Sequence, residues 1–371
     1  MRVNWRHIPS AHNSYAVLQA ACEESGFSLN RVNSPSAEVT CYSLNSFSAK
    51  KLRHEIATAG CITVAGGPHA TTCYSDLARF CDYVVVGEGE YTLPLLLAHI
   101  EAGKPGALPG VATAEGYIPA GYTVVPGAYP PFGEIQGFLE ISRGCPFGCT
   151  YCQTPMIFGH CMRHRPIDQI QRYAAKLKDA RFLTPNAFAY GSNGRDSRPD
   201  LVERLLAGTK GRVYFGTFPS EVRPEFVTEE MLGLVTRYCM NTKIHFGAQS
   251  GNDRVLEALH RGHTVTDTIR AVELCRSHGL VPVVDFIVGI PGETDDEQRD
   301  TLRLIEWVAR QGNVHVHRFM PLPGTGLAGT TTRGLLDETR RVLGRLALQG
   351  KLTGTWGADS VFNPYDDNTI I

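Results

Sequence analysis

No stretch of this sequence approaches the roughly 20 consecutive apolar residues that a membrane-crossing helix requires, so a helical membrane protein is not expected. Charge of one sign is missing too: 36 Lys and Arg stand against 37 Asp and Glu. The resulting net charge of −1 gives no general attraction to nucleic acid, which is therefore not expected as a partner. Internal repeats and low-complexity tracts are absent. No G-x-G-x-x-G opens the first helical stretch, which argues against a bound dinucleotide. The first residues, Met1-Arg-Val-Asn-Trp-Arg-His-Ile8, carry charge where a secretory signal needs an apolar run. A reduced, cytoplasmic location is expected, and there 11 cysteines mean metal or catalysis before disulfides.

Against these absences stands Cys145-Pro-Phe-Gly-Cys149-Thr-Tyr-Cys152, a C-x3-C-x2-C loop directly after the apolar run 138–141. Three thiolates on one short loop can ligate three irons of a [4Fe-4S] cube and leave the fourth iron open. Cys145, Cys149 and Cys152 are thus the candidate metal ligands and catalytic centre. The pair Cys149 and Cys152 is also half of a zinc knuckle, with His160, Cys161 and His164 near enough to complete it. Spacing alone leaves both open.

Periodicity places β-strands at 138–141, 187–190, 213–216, 244–247, 283–287 and 314–318, and helices at 167–178, 200–206, 228–238, 265–278 and 295–310. Six alternating strand-helix units predict a parallel sheet curved into a partial barrel, with function on loops at the strands' carboxyl ends. The cysteine loop, Gly191-Ser192-Asn193-Gly194, Gln249-Ser250 and Gly289-Ile-Pro-Gly-Glu293 all fall at such ends. Upstream, strands at 3–8, 29–32, 38–42, 62–65 and 83–86 alternate with helices at 14–24, 49–59, 75–79 and 93–101, a doubly wound α/β pattern. Residues 103–132, rich in Gly, Pro and Tyr, read as an extended linker. The expected organisation is a first domain with linker over 1–125, a barrel over 126–328, and a helical extension and tail over 329–371, the tail packing across the barrel mouth.

The cysteine loop, with Tyr151 before its last cysteine and an apolar strand before its first, resembles the cluster loop of the radical S-adenosylmethionine (radical SAM) enzymes. KIHFGAQSGNDRVLEALHRGHT at 243–264, VVDFIVGIPGE at 283–293 and VHVHRFMPLPGT at 314–325 are similar to further segments of that family. Together they cover most of 136–325. The resemblance implies that the open iron chelates S-adenosylmethionine and that one electron cleaves it to a 5'-deoxyadenosyl radical. An external donor such as ferredoxin or flavodoxin would supply that electron. It further implies Tyr151 beside the adenine, Gln249 and Ser250 on the ribose hydroxyls, and Ser192 and Asn193 near the aminoacyl group. By ordinary histidine chemistry His260 and His263 orient loops, and Arg261 neutralises a carboxylate or caps a helix.

AGGPHAT at 65–71 and DYVVVGEGE at 82–90 resemble the cobalamin-binding domain that precedes the radical domain in many such enzymes. That implies Gly66 and Gly67 beside the nucleotide tail of cobalamin, Ser43, Asn45 and Thr71 as polar contacts, and Gly87 and Glu88 in the next loop. The Asp-x-His-x-x-Gly motif that brings histidine to cobalt is missing, so an open or weakly ligated lower face is expected, with His69 ordering its loop. The joint resemblance implies a cobalamin-dependent radical SAM methyltransferase that C-methylates an unactivated carbon through methylcobalamin. Its substrate would be a small molecule or a protein, such as the glutamine of methyl-coenzyme M reductase that a similarly compact family member methylates. The competing expectations are a methylthiotransferase acting on tRNA, which shares the Gln-Ser-Gly and RGHT phrases, a radical cyclase or rearrangement enzyme, and a non-catalytic cobalamin sensor.

Overall fold

The computed structural model describes residues 1–104 and 108–357, and the chain divides into two compact units. The first comprises Met1–Phe138 with Met156–Gly159; the second comprises Leu139–Pro155 and the chain from His160 onward. Most of the tail expected over the barrel mouth, 358–371, lies outside the described residues.

In the first unit β1 (Val3–Arg6), β2 (Leu29–Val32), β3 (Val39–Ser43), β4 (Ile62–Gly66) and β5 (Tyr83–Val85) form a parallel sheet in the order β2-β1-β3-β4-β5. Helices α1 (His12–Glu23), α2 (Ser46–Ala57), α3 (Pro68–Thr72), α4 (Tyr74–Leu77) and α5 (Gly89–Glu101) connect them. All five residues of β3 are buried, as befits a central strand covered on both faces. Each sheet face has its own core: Trp5, Cys41 and Leu96 on one, Tyr42, Leu44 and Ile56 on the other. The order reverses between β1 and β3, and open sheets of this kind take ligands in the crevice at that switch point.

The stretch expected as linker is partly sheet. β6 (Val111–Thr113) pairs antiparallel with β5, and β7 (Gly116–Tyr117) with β6. Residues 114–115 make a two-residue turn, and the short apolar run Val111–Thr113 is wholly buried, which draws it onto the sheet edge.

In the second unit β8 (Leu139–Glu140) is followed by a small antiparallel pair, β9 (Ser142–Arg143) with β10 (Arg163–His164); between these two strands the chain carries the cysteine loop and the short α6 (Thr154–Phe158), whose residues from Met156 on are counted with the first unit. Then come α7 (Ile167–Ala174), β11 (Asp179–Leu183), α8 (Pro199–Gly208), β12 (Arg212–Tyr214), α9 (Glu229–Tyr238) and β13 (Lys243–Gln249). The unit continues with α10 (Asp253–Ala258), α11 (Val265–Ser277), β14 (Val281–Val288), α12 (Asp295–Gln311), β15 (Asn313–Arg318), α13 (Asp337–Leu348) and β16 (Leu352–Thr353). Parallel sheets β8-β11-β12 and β13-β14-β15-β16 are stitched together by His245 N donating to Gly216 O and Val222 N to His245 O, giving the curved wall of a partial barrel.

One strand differs from expectation. Residues 187–190 form a tight turn, Ala187–Ala189, and the strand is β11 upstream, so α7 ends four residues earlier than its pattern suggested. Ala180 and Phe182 bury one face of β11 while Asp179 and Arg181 tint the other, a five-residue alternation hidden behind a charged helix end. Among the described residues no helix is long and apolar enough to cross a membrane.

Candidate active site

The cysteine loop leaves β9 through Gly144, whose φ of 86° only glycine adopts freely. Three segments hold it. Thr150 N donates to Leu259 O, and Leu327 N donates to Thr150 O. The side chain of Gln153 donates to Pro323 O at 2.8 Å. The 191–194 turn packs on its other side: Arg195 donates to Pro146 O at 2.9 Å, and a Cβ on Gly194 would lie 2.8 Å from the Pro146 ring. The cysteine loop therefore meets the RGHT, PLPGT and GSNG segments in one place.

Cys149 is buried and faces two guanidinium groups, Arg261 Nη1 at 3.6 Å and Arg223 Nη1 at 4.0 Å. Arg223 lies over the Phe147 ring at 3.5 Å and donates to Arg261 O. Arg261 donates to Gly247 O at 2.8 Å and Tyr151 Oη at 3.1 Å, tying the cysteine loop to the end of β13. Burial works against the Arg261 charge, but Tyr151, Cys149 and Glu225 outweigh it and hold its pKa above the ordinary value. Burial pushes the Cys145 thiol up, a Phe147 backbone bond pulls it down, and Cys152 and Cys149 add to the rise. The Thr154 N–H points at Cys152 Sγ, 3.4 Å away.

These are the surroundings of thiolate ligands: cations beside one sulfur, a backbone donor on another, and all three on one loop. Among the described residues no three metal-binding side chains converge tightly enough for a single ion. A cube spreads three cysteines over three irons, and to that group the residues fit. His164, a zinc alternative, has both ring nitrogens engaged, Nδ1 with Ser142 Oγ at 2.8 Å and Nε2 with Ser192 O at 2.7 Å.

The other expected contacts of this unit divide. Gln249 ends β13 beyond a bulge, with φ of 69°, and lines the barrel lumen together with Tyr151. Ser250 does not: it is 0 % exposed, its Oγ 3.1 Å from Thr301 Oγ1 on α12 and accepting from Asn252 N. It fastens the turn to a helix instead of facing a ligand. Asn193 is exposed and accepts from Arg195 N and Asp196 N, a side-chain-closed turn, while Ser192 Oγ accepts from Gly194 N. His263 Nε2 bonds Ala248 O at 3.2 Å and so orders the loop.

The lumen holds groups that sequence reasoning passed over. A cavity of about 630 Å³ is lined by Glu221, His245, Asp285, His315 and His317 besides Tyr151 and Gln249. Along β14 residues 284, 286 and 288 are buried against helices while 283, 285 and 287 line the cavity. Polar residues at alternate positions of KIHFG, VVDFIV and VHVHR were the available signal. Burial, then Glu221, pushes Asp285 up to about 8; burial raises Glu221 as well. Burial, then Lys243, His315 and Arg181, lowers His245 to about 4.

In the first unit the loops after β3, β4 and β5 are knitted together. Leu44 N donates to Gly66 O, His69 N to Leu44 O, and Gly87 N to Thr71 Oγ1 at 3.0 Å. Gly67, at φ 95°, lets this happen, since a Cβ there would lie 2.8 Å from Leu44 N and 3.0 Å from Ser43 Oγ. Asn45 is the N-cap of α2 in a capping box with Ser48. Glu88 precedes α5 and accepts from Val124 N at 3.4 Å. His69 Nδ1 lies 3.3 Å from Ser46 Oγ, and burial lowers its pKa. Ser43, Asn45, Gly66, Gly67, Thr71, Gly87 and Glu88 thus share the carboxyl-end rim of one sheet.

Solved structures share this architecture. The S-adenosylmethionine methyltransferase TsrM from Kitasatospora setae, solved with tryptophan substrate and an S-adenosylmethionine analogue, superposes with a TM-score of 0.66 over 88% of this chain and 75% of its own, at 18% identity. The cobalamin-dependent S-adenosylmethionine radical enzyme OxsB, solved with aqua-cobalamin and S-adenosylmethionine, gives 0.60 over 82% and 52%, at 16% identity. The fold is therefore a Rossmann-like unit followed by a radical SAM barrel. By sequence, the tRNA-2-methylthio-N(6)-dimethylallyladenosine synthase of Moorella thermoacetica is 34% identical over 212 residues, 54% of this chain and 46% of that protein. The enzyme of the same name from Bartonella bacilliformis is 27% identical over 304 residues, 76% and 62%. The chain spans about half the length of the curated relatives it matches. Residues 139–305 match the model of the Radical SAM superfamily, so the chain carries a radical SAM domain there.

Proposed function

We propose that the protein is a cobalamin-dependent radical SAM methyltransferase that methylates an unactivated carbon. The observation that carries this reading is the pairing, in one chain, of the β2-β1-β3-β4-β5 sheet and its glycine-rich carboxyl-end rim with the cysteine loop of the barrel. TsrM and OxsB, whose folds it shares, bind cobalamin by their own descriptions. When bound, the cluster with S-adenosylmethionine would supply a radical and the corrinoid would carry the methyl group. The chain's own part is to hold and shield. Cys145, Cys149 and Cys152 would ligate the cluster, Arg261 and Arg223 would offset its negative charge, and Tyr151 and Gln249 would border S-adenosylmethionine. The rim around Gly67 would receive the corrinoid. Such positioning in a dry cavity is the protein's contribution wherever a cofactor performs the bond breaking.

A second reading, methylthiolation of tRNA, is favoured by the 34% identity to a protein of that name. It requires a second cluster held by cysteines of the first unit. There Cys22, Cys41 and Cys81 are buried in the two cores, and burial pushes Cys22 up to about 12 and Cys81 to about 11. Such positions suit small apolar side chains. Anaerobic reconstitution with iron, sulfide and hydroxocobalamin, then quantitation of iron and retained corrinoid, separates the two, and mass spectrometry for S-adenosylhomocysteine and 5'-deoxyadenosine tests the radical methyl-transfer chemistry itself. Both products with one cube per chain are expected, and Cys145→Ala should abolish the 5'-deoxyadenosine. Two cubes per chain and no retained corrinoid would decide for methylthiolation.

A further inference from the structure

The barrel lumen carries more polar chemistry than holding a cluster and S-adenosylmethionine requires. Register sets it out as a row across the wall. Val222 bridges Phe246 on β13, Gly247 stands opposite Asp285 on β14, and Asp285 stands opposite His315 on β15. Glu221, His245, Asp285 and His315 consequently line one cavity of about 630 Å³, within the range of small-ligand sites. Among the described residues neither Glu221 nor Asp285 has a side-chain hydrogen-bond or ion-pair partner. The nearby cation Arg261 is committed to Gly247 O, Tyr151 and Cys149. Arg318 at the lumen's edge donates to Arg333 O. His315 and His317 are anchored through Nδ1 to Thr353 and Thr355 at 2.7 and 2.9 Å, with their rings 4.4 Å apart edge to face.

Burial lowers the pKa of His245, His315 and His317, so these imidazoles are neutral near pH 7. Of the lining side chains Arg318 is a cation already turned to Arg333 O, while the two acids, Glu221 and Asp285, are left without a partner among the described residues. A carboxylate taken out of water without a counter-charge is costly, and the rise of Asp285 to about 8 reflects that cost. A cation entering between the two acids would relieve it. We infer that the lumen recognises its substrate by a basic nitrogen group, an ammonium or guanidinium, held between Glu221 and Asp285 with the imidazoles as neutral hydrogen-bond partners. The inference rests on the barrel being a substrate-processing site and adds the chemical class of what it processes.

The test is calorimetric binding to the full-length chain without S-adenosylmethionine, so it is independent of radical chemistry. The probes are agmatine, Nα-acetyl-arginine methylamide, and the neutral citrulline counterpart of the latter. Saturable binding of at least one cationic probe, with the citrulline compound weaker by about tenfold or more, is expected. Asp285→Asn and Glu221→Gln should each weaken the cationic probe about tenfold while leaving the far-ultraviolet spectrum unchanged. Agmatine alone binding would indicate a small-molecule substrate, and the acetylated arginine alone a protein side chain; both outcomes support the inference. Equal affinity for charged and neutral probes, or no binding of either, would overturn it. So would displacement of the probe by S-adenosylmethionine combined with an equal loss of S-adenosylmethionine affinity in Asp285→Asn, because the acids would then serve the cosubstrate's own positive charge.

Discussion

Asp285 and His245 line the same cavity and titrate in opposite senses. Asp285 is raised from 3.8 to about 8, so between those values the folded chain binds more protons than the unfolded one, and stability falls as pH rises. His245 is lowered from 6.5 to about 4, so there the unfolded chain binds more protons, and stability falls as pH drops. His263, lowered to about 3 by burial, then Arg261 and Arg223, adds to this acid limb. Above about pH 6.5 only the Asp285 limb of the three remains. The ligand-free protein should therefore lose stability from pH 6.5 to 8, by up to about 2 kcal/mol for Asp285, and Asp285→Asn should flatten that slope in urea titrations. A slope unchanged by the substitution would mean that Asp285 is already ionised in the folded chain. At this scale the sequence was legible where chemistry is local in the chain, as in the cysteine loop. It was not legible at Gln249 and Ser250. They are neighbours of equal polarity, and only the bulge at 247–249 decides that one enters the lumen and the other turns to Thr301 on α12.

Turns between elements show what glycine does on the rim of the first sheet. Gly67 and Gly87 both have positive φ, 95° and 84°, but only at Gly67 would a Cβ meet backbone, 2.8 Å from Leu44 N and 2.9 Å from Leu44 O. Gly87→Ala carries the conformational cost alone, about 1 kcal/mol. Gly67→Ala adds displacement of the β3–α2 turn and should lose about 2–4 kcal/mol in urea unfolding, with hydroxocobalamin retention falling alongside. Equal losses in the two variants would show that the turn at Leu44 yields freely. Strands β13 to β15 stood out as apolar runs between helices, and the periodicity of α11 and α12 was legible without the capping boxes that the structure shows at Thr264 and Thr294. β11 escaped because Asp179 and Arg181 occupy alternate positions of a five-residue strand. The apolar Ala187–Ala189 took its place in the reading, yet it curls into a turn after Pro185 and buries its side chains without pairing. The β6–β7 hairpin escaped because turn-forming residues surround two very short strands.

At the scale of the whole molecule, two units with separate cores allow a ligand's effect to be located along the chain. A ligand that binds only the folded form stabilises what it touches by RT ln(1 + [L]/Kd), about 2.7 kcal/mol at a hundredfold excess over Kd. Hydrogen exchange read peptide by peptide reports that stabilisation locally. With hydroxocobalamin, slowed exchange is expected at 43–48, 66–72 and 87–92, the rim after β3, β4 and β5, whether or not the cluster has been assembled. Assembly of the cluster with S-adenosylmethionine should instead slow exchange at 144–154, 247–252 and 259–264, where the cysteine loop, Gln249 and Arg261 converge. The two responses carry different parts of the functional reading. Protection of the second set without any at the first would leave a radical SAM enzyme with no corrinoid, and the first unit would then serve another purpose. Protection of the first set in a protein that cannot assemble a cluster would favour cobalamin sensing. Protection of both, each by its own ligand, is what a methyltransferase carrying its methyl donor and its radical source on one chain requires.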